Sequence, residues 1–476
     1  MRIFAQPVAL IATTLLATFL LLPSMASVGM FMDGTIYASI SRNMAEGLGS
    51  MWAPHFSDGL FPVFREHPPL VFWLQSLFFG VLGDTYLTER AYDLFVLLAT
   101  AALMGALWLR VLESSRLERL AGYWWLVLLL WVVVPKWSWT YRNNVLENTM
   151  TMFCLLSVLL TLAGLRSRNI YMAICCGGSA ALAALLALLA KGPAALFVLA
   201  APVFLMPALP RIVPGRVVIV LGALSGTFLL SLGALLAWPD AREMLFFYWH
   251  KQVVGRSGVS AADIDMLLEL AKKLVPMLVV LAGLRLWIWR DGKSEFWWML
   301  RGPGGAMLVA GFAGSLPLLL GDLDSAHYLV PALPFFALGF GLIGAAMLDS
   351  GGSRVRAGVT SRPGPLFKAV AISASIGILA MSLDRLGAVR KNEDRHEFLS
   401  DVARVAGERR VVGVDSALYS DWYLHAIAQR HFRISLVQGL ASAEWRVVPA
   451  GSEPEPGYRE SGIRSQDLAL RHRMYE

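Results

Sequence analysis

Asp33 stands at the edge of the first strongly apolar run, and Tyr37, Arg42, Glu66 and His67 follow it within one loop. An acid at the very end of a membrane span is costlier than one in open water, which marks it as a functional candidate. The loop opens at Phe31-Met32-Asp33-Gly34 and closes near Arg65-Glu66-His67-Pro68-Pro69. It gathers a proton acceptor, cations able to pair with an anion, and a hydroxyl. Such a set supports proton abstraction beside a bound anion at a bilayer surface.

The elements that would position these groups are legible in part. Ile36, Ile40 and Met44 recur at intervals of four, while Ser39, Arg42, Asn43 and Glu46 take other faces. This spacing predicts an amphipathic surface helix with Gly47 after its end. Asp33 falls at or just before its N-terminus, where the dipole and free N–H groups favour the ionised carboxylate; a plain helix cap is the alternative. Tyr141-Arg142-Asn143-Asn144 and Glu147 form a second polar run at a helix entrance. Asn144 and Glu147 would contact an acceptor or stand behind the reacting groups, or would cap and solvate the helix start. Glu66 would orient His67, pair with Arg65, or hold a divalent ion with other loop groups.

Composition defines the class. Of 476 residues, 57% are hydrophobic and 16% charged, with mean hydropathy +0.58, so the chain reads as a polytopic membrane protein. The net charge of +7 reports loop orientation before any nucleic acid, and no nucleic-acid partner follows from it. Cys154, Cys175 and Cys176 sit in apolar runs with poor geometry for a disulfide frame and read as packing residues. The run Val8 to Val28 is longer than a signal-peptide core and should remain as the first span, with cleavage near Ala26-Ser27 a minor alternative.

About eleven apolar segments follow one another: 8–29, 91–110, 121–135, 148–165, 170–189, 193–209, 217–237, 270–288, 304–320, 328–347 and 367–383. Leu70–Leu82, marginal in length for spanning, is taken as interfacial after Pro68-Pro69. One set of connections then carries Arg110, Arg116 and Arg119; Arg166 and Arg168; Arg211 and Arg216; Arg285, Arg290, Lys293 and Arg301; and Arg354, Arg356, Arg362 and Lys368. The positive-inside rule makes that set and the N-terminus cytoplasmic. Every chemically interesting cluster falls on the other side: the first loop, 30–90; Asn144 and Glu147; Lys191; the loop around His250 to Arg256; and Asp322 to Tyr328.

The expected fold is therefore an all-α polytopic domain over 1–384, with interfacial helices in its first outward loop. A small extracytoplasmic α/β domain over 385–476 would complete it. Val411–Val414, Ile434–Val437 and Trp445–Val448 read as strands and Asp421–Arg430 as a helix, while the charge and Gly/Pro content beyond Gly451 predict a mobile end.

Four motifs, in order and facing one side, resemble those of the C-type glycosyltransferases. They are Asp33-Gly34 with Tyr37 and Arg42-Asn43-Met44; Phe64 to Leu70; Lys191-Gly192-Pro193; and His327 to Pro334. The pattern is most similar to bacterial aminoarabinose transferase and protein O-mannosyltransferase relatives, and it covers the chain to about Met347. The resemblance implies inverting transfer of a sugar from a polyprenyl-phosphate donor to an envelope lipid, polysaccharide or protein at the outer face of the bacterial inner membrane.

In that reading Asp33 matches the family's base and Glu66 its second acidic loop position, followed here by His67. Lys191 would supply a point charge to the carrier phosphate, or would snorkel at the interface. Arg42 and Arg256 would add forked donors, with Tyr37, His67, His327 and Tyr328 beside the donor. The aromatics Phe246 to Trp249 would anchor, or would let the loop Trp238–Leu270 close over the head group. Relatives often carry Asp-Glu where this chain has Asp33-Gly34, and a lysine where it has Asp322-Leu323-Asp324-Ser325. No cofactor beyond the lipid-linked donor is required, and a divalent cation and the oligomeric state are left open. The competing reading is a multi-span transporter or flippase, which would place ionisable groups near the midplane.

Overall fold

The computed structural model describes residues 6–210, 213–255, 264–288, 293–316, 318, 326–350, 363–407, 411–440 and 443–474. In chain order its helices are α1 Pro7–Met25, α2 Met32–Ala45, α3 Leu70–Leu82, α4 Tyr86–Ser114, α5 Trp124–Val132, α6 Pro135–Tyr141, α7 Leu146–Arg166, α8 Ile170–Lys191, α9 Ala201–Phe204, α10 Pro214–Ala237, α11 Pro239–Tyr248, α12 Ile264–Ile288, α13 Lys293–Arg301, α14 Pro303–Ser315 and α15 Leu333–Ser350. Three more follow at Pro365–Asp384, Glu393–Ala406 and Trp422–Phe432. Contacts divide the chain into two compact units. The first comprises Met1–Pro23, Asp93–Tyr141 and Leu146–Ser382; the second comprises Ser24–Tyr92, Arg142–Val145 and Leu383–Glu476. This grouping joins the first loop to the C-terminal residues rather than to the spans.

The first unit is the helical bundle. Among the described residues, seven helices of the chain are long and apolar enough to cross a membrane, and the bent pair Glu118–Val132 with Pro135–Tyr141 makes an eighth if it is one span. Pro193–Phe204 and α14 are shorter than a bilayer's hydrocarbon core. Small residues let the bundle close, because the hydrophobic effect does not drive helices together in lipid and packing must. Ala180, Ala181, Ala183, Ala184 and Ala187 on α8 are all buried, and a β-carbon on Gly177 would lie 2.9 Å from that of Ala223 on α10. Ser157 on α7 donates to the Ala180 carbonyl at 2.9 Å. The turn between α7 and α8 is fixed by Asn169, whose side chain accepts from the Tyr171 N–H at 2.8 Å. α7 and α8 thus run antiparallel, and the start of one meets the end of the other.

The second unit holds a five-stranded sheet of order β2-β1-β3-β5-β4, with β1 Val411–Val414, β2 Ser435–Gln438, β3 Trp445–Pro449, β4 Tyr458–Arg464 and β5 Leu468–Arg473. β1 is parallel to β2 and β3, and β5 is antiparallel to β3 and β4. Helix Trp422–Phe432 makes the crossover from β1 to β2, and Val412, Leu424, Ile427, Leu436, Val447 and Leu470 share the core. The segment beyond Gly451 is not a mobile end: it forms the β4–β5 hairpin. Leu468, Ala469 and Leu470 are buried, and Arg471 binds Glu460 and the Ser452 carbonyl, which ties the hairpin down.

A second correction concerns α2. Its polar faces do not meet water, because every residue from Gly34 to Asn43 is buried. Helices α3 and Trp422–Phe432 pack against it, covering the polar faces that the spacing assigned to water. Leu70–Leu82 is helical over the range expected; its 13 residues rise only about 20 Å.

Candidate functional site

In the second unit the chemistry centres on the first turn of α2, where Asp33 is the second residue and half-buried. The helix is entered through Phe31, which offers no side-chain cap. The missing partner comes from the polar run after α6: the Asn143 side-chain oxygen accepts from the Phe31 N–H at 2.7 Å. Asn144 donates to the Gly34 carbonyl at 3.0 Å and exchanges hydrogen bonds with Gln75. Its φ of 50° is a left-handed conformation that asparagine tolerates. A β-carbon on Gly34 would lie 2.0 Å from the Asn143 carbonyl oxygen. Glycine is therefore demanded next to Asp33, which gives a physical reason for the absence of a second carboxylate there.

Sequence reasoning missed three residues around this turn and the strand that enters it. Tyr423, from the C-terminal part of the chain, donates its hydroxyl to the Met30 carbonyl. Burial, and then the Asp33 charge, push its phenol up to about 12. The Lys391 ammonium lies 4.6 Å from the Tyr423 ring. Arg90 grips the entry strand through the Gly29 carbonyl at 2.9 Å and also binds the Arg142 carbonyl. Nothing in the local sequence of 391 or 423 marks these residues; their role comes from long-range packing.

The remaining first-loop candidates differ in availability. Tyr37 is buried in an aromatic cluster, its ring 5.6 Å from His67 and 5.5 Å from Phe72. Glu66 is buried beside it in sequence. Arg42 does not present an open fork. It is 2% exposed, it donates to the Arg430 carbonyl at 3.0 Å and to Asn43 at 2.8 Å, and burial with the neighbouring Arg430 charge lowers it to about 10. Arg42 holds α2 in place instead of reaching outward.

In the first unit, antiparallel α7 and α8 bring Glu147 and Lys191 together, 147 at the start of one helix and 191 at the end of the other. Their ion pair measures 3.1 Å, with side chains 1% and 8% exposed. His327, in the short 3₁₀ helix Ala326–Ala332, places its ring nitrogen 3.6 Å from the same carboxylate oxygen. Trp139 stacks on that imidazole at 5.9 Å, and Lys191 lies 5.2 Å from the Tyr328 ring. The Lys191-Gly192-Pro193 motif has a local cause. Gly192 has φ 125° and its missing β-carbon leaves room for Tyr248, whose hydroxyl donates to the Lys191 carbonyl at 2.9 Å. Tyr248 is thus fixed at the lysine, whereas Phe246, Phe247 and Trp249 are exposed as belt aromatics would be.

The structure thus gathers Asp33, Tyr37, Glu66, His67 and Asn144 in one unit, and Glu147, Lys191, His327 and Tyr328 in the other. Arg256 and Asp322 to Ser325 lie outside the described residues. Among the described residues no three His, Cys, Asp or Glu side chains gather in a group able to hold a metal ion.

A bundle of apolar helices combined with a small mixed sheet in this order is a C-type glycosyltransferase fold, as the four motifs implied. The structure is similar to that of ArnT from Cupriavidus metallidurans bound to undecaprenyl phosphate, with TM-score 0.61 and 15% identity over 98% of each chain. It is similar also to apo ArnT, with TM-score 0.58, 14% identity and coverage of 97% and 96%. AglB, the oligosaccharyltransferase of Archaeoglobus fulgidus in complex with an inhibitory peptide and a dolichol-phosphate, matches with TM-score 0.50 and 10% identity, over 94% of this chain and 69% of that one. No protein-family model matches the sequence, and no curated protein does.

Proposed function

We propose that the protein is an inverting glycosyltransferase that moves a sugar from a polyprenyl-phosphate donor to an envelope acceptor at the outer face of the inner membrane. The observation that carries this reading is the first turn of α2: a half-buried carboxylate on a turn held by Asn143 and Asn144. The fold likeness to a protein solved with undecaprenyl phosphate supports the choice of donor class. Asp33 takes the proton of the acceptor group as that group's lone pair attacks the anomeric carbon. The bond from that carbon to the carrier phosphate breaks, and the electron pair leaves with the phosphate. Such a transition state develops charge at both ends, so placement and electrostatics supply the rate.

Lys191 is the cation assigned to the departing phosphate. A buried ammonium without a partner is costly, and Glu147 pairs with it and holds it in place until the lipid phosphate takes over the pairing. His327 and Tyr328 flank that cation; Tyr37 and His67 wall the region after α2. In this reading the N-terminus is cytoplasmic and the C-terminal residues are extracytoplasmic.

The test uses purified full-length chain in membranes supplied with polyprenyl-phosphate sugars. Asp33→Asn should remain folded and inserted and lose about 10²- to 10⁴-fold in turnover. Unchanged turnover would remove the base assignment. Lys191→Ala should raise the donor concentration needed for half-maximal rate more than it lowers the rate at saturation; an unaltered donor dependence would leave Lys191 as a packing residue only.

A further inference from the structure

At the opposite ends of the helices that carry Glu147 and Lys191, the first unit forms an open cleft of about 710 Å³ whose lining is rich in arginine. Arg166 closes α7, Arg168 lies in the turn to α8, Arg116 follows α4 and Arg216 lies in the first turn of α10. From residue 147 to 166, α7 rises about 28 Å, roughly one hydrocarbon core, so the cleft belongs to the other membrane surface. Four arginines and a single acid, Glu113, line the cleft. That acid is already shared between Arg110 at 3.1 Å and Arg166 at 2.9 Å. Arg216 donates to the Asn169 and Arg168 carbonyls, which shapes the rim. The guanidinium groups of Arg116 and Arg168 have no ion-pair partner among the described residues, and both are exposed.

Arginines that only mark a cytoplasmic loop are not required to converge from four separate segments on one cleft. Here they line a cleft of ligand size, with excess positive charge at a surface where anionic head groups are abundant. Guanidinium forks match phosphate oxygens in geometry as well as charge. We propose that this cleft is a binding site for a phosphate group, carried by an anionic lipid headgroup or by a soluble phosphate ester. The proposal is independent of the transfer reaction.

The test places the purified full-length chain in nanodiscs of phosphatidylcholine. One arm adds phosphatidylglycerol and counts retained lipid by native mass spectrometry. The other adds glycerol 3-phosphate and follows binding by calorimetry. Arg116→Gln/Arg168→Gln, whose unliganded melting temperature reports its fold, should weaken binding about tenfold or more, since each surface cation contributes on the order of 1 kcal/mol. Arg301→Gln, at the end of α13 and outside the cleft lining, should leave binding unchanged. Binding of the lipid alone with this dependence assigns the site to a headgroup; binding of the soluble ester with the same dependence assigns it to a free phosphate compound. Equal binding by wild type and the double variant, equal loss in Arg301→Gln, or no binding of either compound overturns the proposal.

Discussion

Gly34 illustrates how a single position fixes the chemistry beside it. Its hydrogen occupies a point where a β-carbon would stand 2.0 Å from a backbone oxygen, and backbone cannot turn aside as a side-chain tip can. Gly34→Ala should therefore displace either the first turn of α2 or the turn at Asn143, with a stability cost of about 1–3 kcal/mol and at least a tenfold loss of transfer. Melting temperature and turnover of the same preparation check both. Gly80→Ala in α3 is the matched control: it has open space around it and should be neutral or slightly stabilising, since alanine is the better helix former. Sequence made Asp33 legible because a lone acid at the edge of an apolar run is conspicuous. The need for Gly34 was not legible, because the oxygen it avoids belongs to a residue over a hundred positions away.

Helix α2 shows the same limit at the scale of an element. Its periodicity was read against water, yet its polar side chains meet protein. Arg42 donates to the carbonyl of Arg430, 388 positions along the chain, and Arg430 is itself paired with Glu89 and Asp84, each at 2.7 Å. Arg433 binds Glu46 at 2.7 Å. Such a charged set is satisfied only when all its members are present, so it specifies one docking of helix Trp422–Phe432. It also has a pH signature. Burial alone would raise Asp84, but Arg430, then Arg42 and Arg433, hold it below its ordinary range. Its contribution is complete above the unfolded value near 4 and is lost as the pH falls through the lower folded value. His396, packed 4.7 Å from the His431 ring, acts at higher pH. Burial pushes it down to about 4, so between an unfolded value of about 6.5 and that point only the unfolded chain takes up the proton. Stability of the second unit should therefore decline as pH drops from 6.5 towards 4. His431 and His425 are also pushed down by burial, so His396→Gln should make that limb shallower without abolishing it and leave the more acidic one, as read by tryptophan fluorescence melts of the full chain across pH.

At the scale of the whole molecule, the bundle and the small C-terminal sheet domain were legible, and the joining of that domain to the first loop was not. Apolar runs long enough to cross a bilayer announce themselves locally, and every one of the eleven expected segments contains helix in the structure. The second unit is assembled from three separated stretches, and no local signal declares that 24–92 will fold with 383–476. The contacts that join them are specific. Tyr419 donates to the Gly59 carbonyl at 2.9 Å, the Asp58 N–H donates to Ser435 at 3.1 Å, and a β-carbon on Gly59 would lie 1.9 Å from the Leu436 carbonyl oxygen. The sheet is thus a structural partner of the loop that bears Asp33. A chain ending after Asp384 keeps all the apolar segments and should still insert. It loses Arg430, Tyr423 and the strands that cover the loop, which leaves α2 with polar faces and buried charges lacking their partners. Limited proteolysis should then cut within 26–92 at enzyme concentrations that leave the full chain intact, and transfer should fall at least a hundredfold. A truncated chain whose first loop stays protected and whose turnover survives would show that the sheet is dispensable for holding Asp33. Restoring protection by adding residues 385–476 as a separate polypeptide would place the effect in these contacts rather than in biosynthesis.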